Sequence, residues 1–126
     1  MSPIARIVLN SAAALIVLGG LYDLFTPKLP PTLAAICGDN ERTRKLVREL
    51  LRALGGSLVA VGATVAALVN TSTPETIHRT LLLILLLVLP AEGINSFSMG
   101  KVGSPFFVPL AFLLLTVLGV ALAWPA

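Results

Sequence analysis

The sequence is short of what a soluble domain uses to meet water. Only 12% of its 126 residues are charged, while 56% are hydrophobic, and the mean hydropathy of +0.96 lies well outside the soluble range. A fold in water needs more polar surface than this. The single cysteine, Cys37, excludes an intrachain disulfide. With one histidine and no CxxC pair there is no cluster to hold a metal or a redox couple, so no metal is expected. The net charge of +3 is modest, and the basic residues gather in one stretch between apolar segments. Orientation in a membrane explains that pattern better than a nucleic-acid partner.

What is present is four apolar runs, over about residues 4–25, 40–69, 75–97 and 105–124. They predict an all-α fold, a four-transmembrane-helix bundle forming one integral membrane domain over residues 1–126, with no room for a separate globular unit. The first run, Ile4 to Phe25, spans ~33 Å at ~1.5 Å per residue, enough for a hydrocarbon core of ~30 Å. Ser2-Pro3 supplies an N-cap oxygen and a first-turn proline. A cleaved signal peptide fits less well, because only Arg6 is basic, the apolar core is long, and no clear A-x-A cleavage site follows it before Asp23. Thr26-Pro27 and Pro30-Pro31 end the helix, leaving a short connecting piece through Leu33–Ile36.

The second helix is expected to begin at Asp39 or Asn40. Its opening turns are amphipathic, with Arg42, Arg44, Lys45 and Arg48 opposite Leu46, Val47 and Leu50. Such a stretch attracts anionic headgroups, making membrane lipids expected partners. Thr73-Pro74-Glu75 and Ser104-Pro105 read as starts of the third and fourth helices. Lys28, Arg42, Arg44, Lys45, Arg48, Arg52 and Lys101 fall on one side of the membrane, and Arg6 and Arg79 on the other. By the positive-inside rule both termini face outward, as expected in a bacterial inner membrane.

Depth then singles out Asp23, Arg52 and Glu92, which reach a similar inner level, with Asn95 about one turn below Glu92 on the same face. A charge facing hydrocarbon costs at least ~2.5–3.5 kcal/mol on insertion scales, so these groups are expected to converge inside the bundle. Two readings follow. One is a ligand-binding site of Asp23, Arg52, Glu92 and Asn95, with Glu92 the candidate catalytic acid/base. The other is an ion-pair network that fixes helix register. Either makes Arg52→Ala more damaging than Arg44→Ala. Pro90 adds a bend that would widen the bundle above Glu92, while Asn10 reads as interhelical glue and His78 as an interfacial residue.

The run Arg52-Ala53-Leu54-Gly55-Gly56, followed by Gly62, resembles DoxX-like small membrane proteins. Gly20-Leu21-Tyr22-Asp23-Leu24-Phe25-Thr26-Pro27 and Gly103-Ser104-Pro105 are similar to that family as well. The resemblance implies a four-helix fold and an association with quinone-linked oxidoreductase complexes or with other membrane proteins. It carries over by position only Arg52, Gly55 and Gly56.

The leading functional reading is a small accessory protein binding a lipophilic molecule, a lipid or quinone, or a partner membrane subunit. The alternatives are an isomerase or transferase acting on a lipid-like substrate through Glu92, and an oligomeric transporter or channel. No particular cofactor is implied by the residues themselves, and a homo-oligomer is left open. The topology is directly testable. In intact cells, cysteine at Thr71 should react with an impermeant reagent from outside, and cysteine at Gly100 should not; external labelling at Gly100 overturns the assignment.

Overall fold

The computed structural model describes residues 1–125. Among them the chain is all-α, with no strand: α1 (Pro3–Phe25), α2 (Pro31–Cys37), α3 (Glu41–Thr71), α4 (Ile77–Lys101) and α5 (Phe107–Ala123). By length and composition α1, α3 and α4 are each able to cross a membrane, whereas α5 is a shorter apolar helix of 17 residues. The expected connecting piece over Leu33–Ile36 is the core of α2.

Caps explain most boundaries. The Ser2 hydroxyl accepts from the Ala5 N–H at 3.2 Å, and the Asn40 side chain from the Thr43 N–H at 3.0 Å, so α1 and α3 start on satisfied donors. Two starts differ from expectation. Residues 73–76 close a tight turn, with the Thr73 N–H donating to Thr76 Oγ1 at 3.0 Å and the Thr76 N–H to the Thr73 carbonyl at 3.1 Å. Helix α4 therefore begins at Ile77 rather than at residue 75. Likewise Gly103-Ser104-Pro105 does not open the last helix. Gly103, at φ +73°, terminates α4, with the Gly103 N–H donating to the Gly100 carbonyl and the Ser104 N–H to the Met99 carbonyl. That pair of bonds is a Schellman ending, in which a glycine takes the left-handed position other residues avoid. It carries α4 on to Lys101, beyond the expected Phe97, and delays α5 to Phe107.

Helix α1 packs on α3 and α5, and α4 packs on the same two neighbours, so the four longer helices close in the order α1, α3, α4, α5 with α1 and α4 diagonal. Between them lies a core built from Leu9, Ile16, Val65, Leu81, Ile84 and Val88. On α4 the buried positions 77, 80, 81, 84, 88, 92 and 96 recur every three or four residues, one inward stripe. The outward faces are no less apolar: Leu18, Phe25, Leu86 and Ile94 are each at least 60% exposed. An exterior of this kind is matched to lipid rather than to water.

Small residues let α1 and α3 nearly touch. A methyl group at Gly20 would lie 2.6 Å from the Gly55 carbonyl oxygen and 2.8 Å from the Val59 nitrogen; one at Gly62 would lie 2.8 Å from the Ala13 carbonyl oxygen. Backbone atoms cannot yield as side chains do, so these positions require glycine. Farther along the same interface the amides of Asn10 and Asn70 bond reciprocally, Asn70 Nδ2 to Asn10 Oδ1 at 2.8 Å and Asn10 Nδ2 to Asn70 Oδ1 at 3.3 Å. The polar residue of α1 thus finds its partner on α3.

Gly20 of α1, at the crossing with α3, and Gly56 of α3, which faces open space, should respond with opposite signs. Gly20→Ala, forced against the α3 backbone, should destabilise by about 1–3 kcal/mol. Gly56→Ala, whose added methyl meets nothing within 4 Å, should stabilise by up to about 1 kcal/mol through helix propensity. Thermal unfolding in detergent reads both, and equal effects would contradict the packing described.

Candidate functional site

Below the Asn10–Asn70 pair, the α1–α3 crossing sets the position of Asp23. A methyl group at Gly55 would meet the Asp23 Cβ at 3.0 Å, so the last turn of α1 lies directly against α3. Asp23 is half-buried there. Across the bundle, Glu92 lies on the inward stripe of α4, two residues beyond Pro90, through which the helix continues. It is only 1% exposed and is the one ionisable member of the fully buried side chains. Its Oε1 has no hydrogen-bond partner.

These two acids line one cavity of about 360 Å³ between the ends of α1, α4 and α5. Asn95 lines it as well, one turn along α4 from Glu92. Leu58, Val108 and Phe112 give it apolar walls, and the exposed Tyr22 lies at its rim. Two features of the chain keep it open. Gly19 leaves space that a methyl group would fill to within 3.2 Å of the Phe112 ring. The Schellman turn, braced by the Ser96 hydroxyl donating to the Phe106 carbonyl at 3.0 Å, holds Ser104 and Pro105 against the cavity.

Arg52 is not part of this arrangement, which corrects the expected convergence of Asp23, Arg52 and Glu92. Its guanidinium pairs with Glu49 at 2.6 Å, the one ion pair among the described residues, and both side chains are substantially exposed. The helical phase explains why. At ~100° per residue Arg52 lies ~60° around α3 from Gly55, the residue that touches α1, whereas Arg48 lies only ~20° from it. Accordingly Arg48, with Lys28, lines a narrow crevice beside Asp23, and its Nε is buried without a hydrogen-bond partner. Depth along the membrane normal, used without angular phase, does not separate Arg52 from Arg48, the arginine that borders the crevice beside Asp23. The phase relative to the α3 glycines was the available signal for Arg48.

The remaining basic residues of α3 form a separate surface. Arg42, Lys45 and Arg48 flank a groove of about 780 Å³ that also includes Arg44, Arg52 and the acids Glu41 and Glu49. Arg44 serves the fold instead, donating from Nε to the Gly38 carbonyl and from Nη2 to the Ala34 carbonyl at 3.4 Å. A cation on the carbonyl end of a helix is favourably placed, so Arg44 ties α2 to α3. At the far end of the bundle His78 packs edge-on against Trp124, ring centroids 5.3 Å apart, away from the cavity. No group of His, Cys, Asp or Glu among the described residues is placed to hold a metal ion.

The cavity presents two carboxyl groups and one amide at the edge of an apolar space. It suits a molecule with an apolar body and a hydrogen-bonding head. Comparison with protein-family models, with curated proteins and with solved structures finds no match to this chain.

The positions of the two arginines reverse the expected order of their effects. Arg52→Ala removes an exposed pair and should cost less than about 1 kcal/mol. Arg44→Ala removes the donor to the Gly38 carbonyl and the tie between the end of α2 and α3, and should cost more. Thermal unfolding decides, and a larger loss for Arg52→Ala would return that residue to the polar centre.

Proposed function

We propose that the protein is an integral membrane protein of four crossings whose bundle binds a lipophilic molecule, a lipid or quinone, in the cavity bounded by Asp23, Glu92 and Asn95. The cavity is the observation that carries this reading. Its volume of about 360 Å³ falls within the ~300–1,000 Å³ usual for small-molecule sites, and such sites combine apolar walls with few convergent polar groups. A carboxyl as buried as Glu92 is costly in a bilayer and is by default a functional group.

The packing supports four crossings. Helix α5 spans only ~25 Å at ~1.5 Å per residue, yet it is apolar throughout and closes the ring between α1 and α4. A modest shortfall against the hydrocarbon core is met by local thinning. With helices alternating in direction, Lys28, Arg42, Lys45, Arg48 and Lys101 lie at one end of the bundle. Both termini then face outward in a bacterial inner membrane. The basic groove of α3 would lie among inner-leaflet headgroups, where each exposed cation adds about 1 kcal/mol of attraction to anionic lipid. The resemblance to DoxX-like proteins agrees with an accessory role, serving a partner membrane subunit through the bound lipophile.

The test is a cavity-filling substitution. Val108 lines the cavity and is 44% exposed, so Val108→Trp can occupy the space without disturbing the core. Wild-type protein extracted in mild detergent should release an apolar molecule detectable by mass spectrometry, at about one per chain. Val108→Trp should reduce that amount by about fivefold or more, the effect of losing roughly 1 kcal/mol of binding, at unchanged helicity. Equal recovery from both proteins would refute the site.

A further inference from the structure

The charge balance of the cavity carries a narrower conclusion. Asp23 and Glu92 are the charged residues that line it, and no basic side chain among the described residues does so. The two acids are not equivalent. Asp23 also borders the crevice that holds Lys28 and Arg48, so cations stand on its far side. Glu92 has no such neighbour: it is absent from that crevice, and Arg52 is engaged by Glu49. Its Oε1 is enclosed without any donor. A buried carboxyl oxygen left this way carries a desolvation cost that a donor from a bound molecule would offset.

Accepting the cavity as a lipophile site, we propose that its natural occupant carries a protonated amine on an apolar body, with the ammonium seated on Glu92. An ammonium offers three N–H donors and no acceptor. One would bond the Glu92 carboxyl, and Asn95, which lines the same cavity, carries an amide oxygen able to accept another. The positive charge offsets the carboxylate in a medium where an unpaired ion is disfavoured, and such charge-assisted bonds are about twice as strong as neutral ones. Competing heads fit less well. A fatty acid or phosphate would set a third anion against two carboxyls. A quinone presents carbonyl acceptors to an oxygen that lacks a donor, and an alcohol or quinol supplies a donor without the charge. Leu58, Val108 and Phe112 then take the hydrocarbon part.

The experiment uses the full chain in nanodiscs of uncharged phosphatidylcholine, titrated calorimetrically with dodecylamine, dodecanol and dodecanoate against empty nanodiscs. Saturable binding of dodecylamine is expected about tenfold or more tighter than that of dodecanol, a factor of about 1.4 kcal/mol, with dodecanoate not binding saturably. Glu92→Gln should abolish the preference for the amine, and Val108→Trp should weaken both amine and alcohol. If dodecanol or dodecanoate binds as tightly as dodecylamine and remains sensitive to Val108→Trp, the amine assignment is wrong while the lipophile site stands. If no probe binds saturably, or if Val108→Trp has no effect, both fall. Circular dichroism checks that each variant is folded. Should Glu92→Gln fail that check, the amine-to-alcohol ratio of the wild type decides together with Val108→Trp.

Discussion

The near-contact of the α1 and α3 backbones at Gly20, Gly55 and Gly62 sets the dimensions of the rest of the molecule. Between membrane helices no hydrophobic drive favours association, since lipid tails are as apolar as leucine. Close packing and interhelical hydrogen bonds must supply it. The glycines permit the approach, and the reciprocal Asn10–Asn70 amide bonds add a polar fastening along the same seam. With α1 held so tightly to α3, its other neighbour α5 is spaced by side chains. The two glycines of that second contact serve different ends: Gly119 accommodates Leu9 at the far end, and Gly19 leaves room beside Phe112. The cavity lies where this spacing widens, toward the ends of α1 and α5.

That geometry also explains the unequal fates of the polar residues. Asp23, one turn past Gly20, is drawn against α3, where it borders the crevice that Arg48 and Lys28 also line. Glu92 sits on α4, diagonal to α1 in the bundle, and receives no counterion from either neighbour. A bundle stabilised by register-fixing ion pairs would have placed a cation against it. The cavity lining contains no basic group among the described residues, so Glu92 has no built-in counterion there.

Much of the fold was legible in the sequence because hydropathy runs and cap residues are local signals. Ser2, Asn40 and the helical periods of α1, α3 and α4 needed no tertiary information. The starts of α4 and α5 were missed for a reason that is also local: Thr73-Pro74 and Ser104-Pro105 match helix-start chemistry, but Thr76 closes a turn on Thr73 and Gly103 spends its left-handed φ ending α4. Two valid motifs competed, and the turn prevailed. The candidate site was legible only in part. Glu92 sits on the inward stripe with the half-buried Asn95 one turn along the helix, and the end of α1 places Asp23 near the same depth. Choosing between Arg48 and Arg52 required the rotation of α3 about its own axis, which the crossing glycines determine and hydropathy does not.

The central claim is that Asp23 and Glu92 line one cavity that Arg52 does not. A pair of double-mutant cycles on thermal or denaturant stability measures this without reference to any ligand. The account predicts that Asp23→Asn and Glu92→Gln depart from additivity by about 0.5 kcal/mol or more, while Arg52→Ala and Glu92→Gln add within that margin. Additive effects for the two acids, together with strong coupling between Arg52 and Glu92, would contradict it.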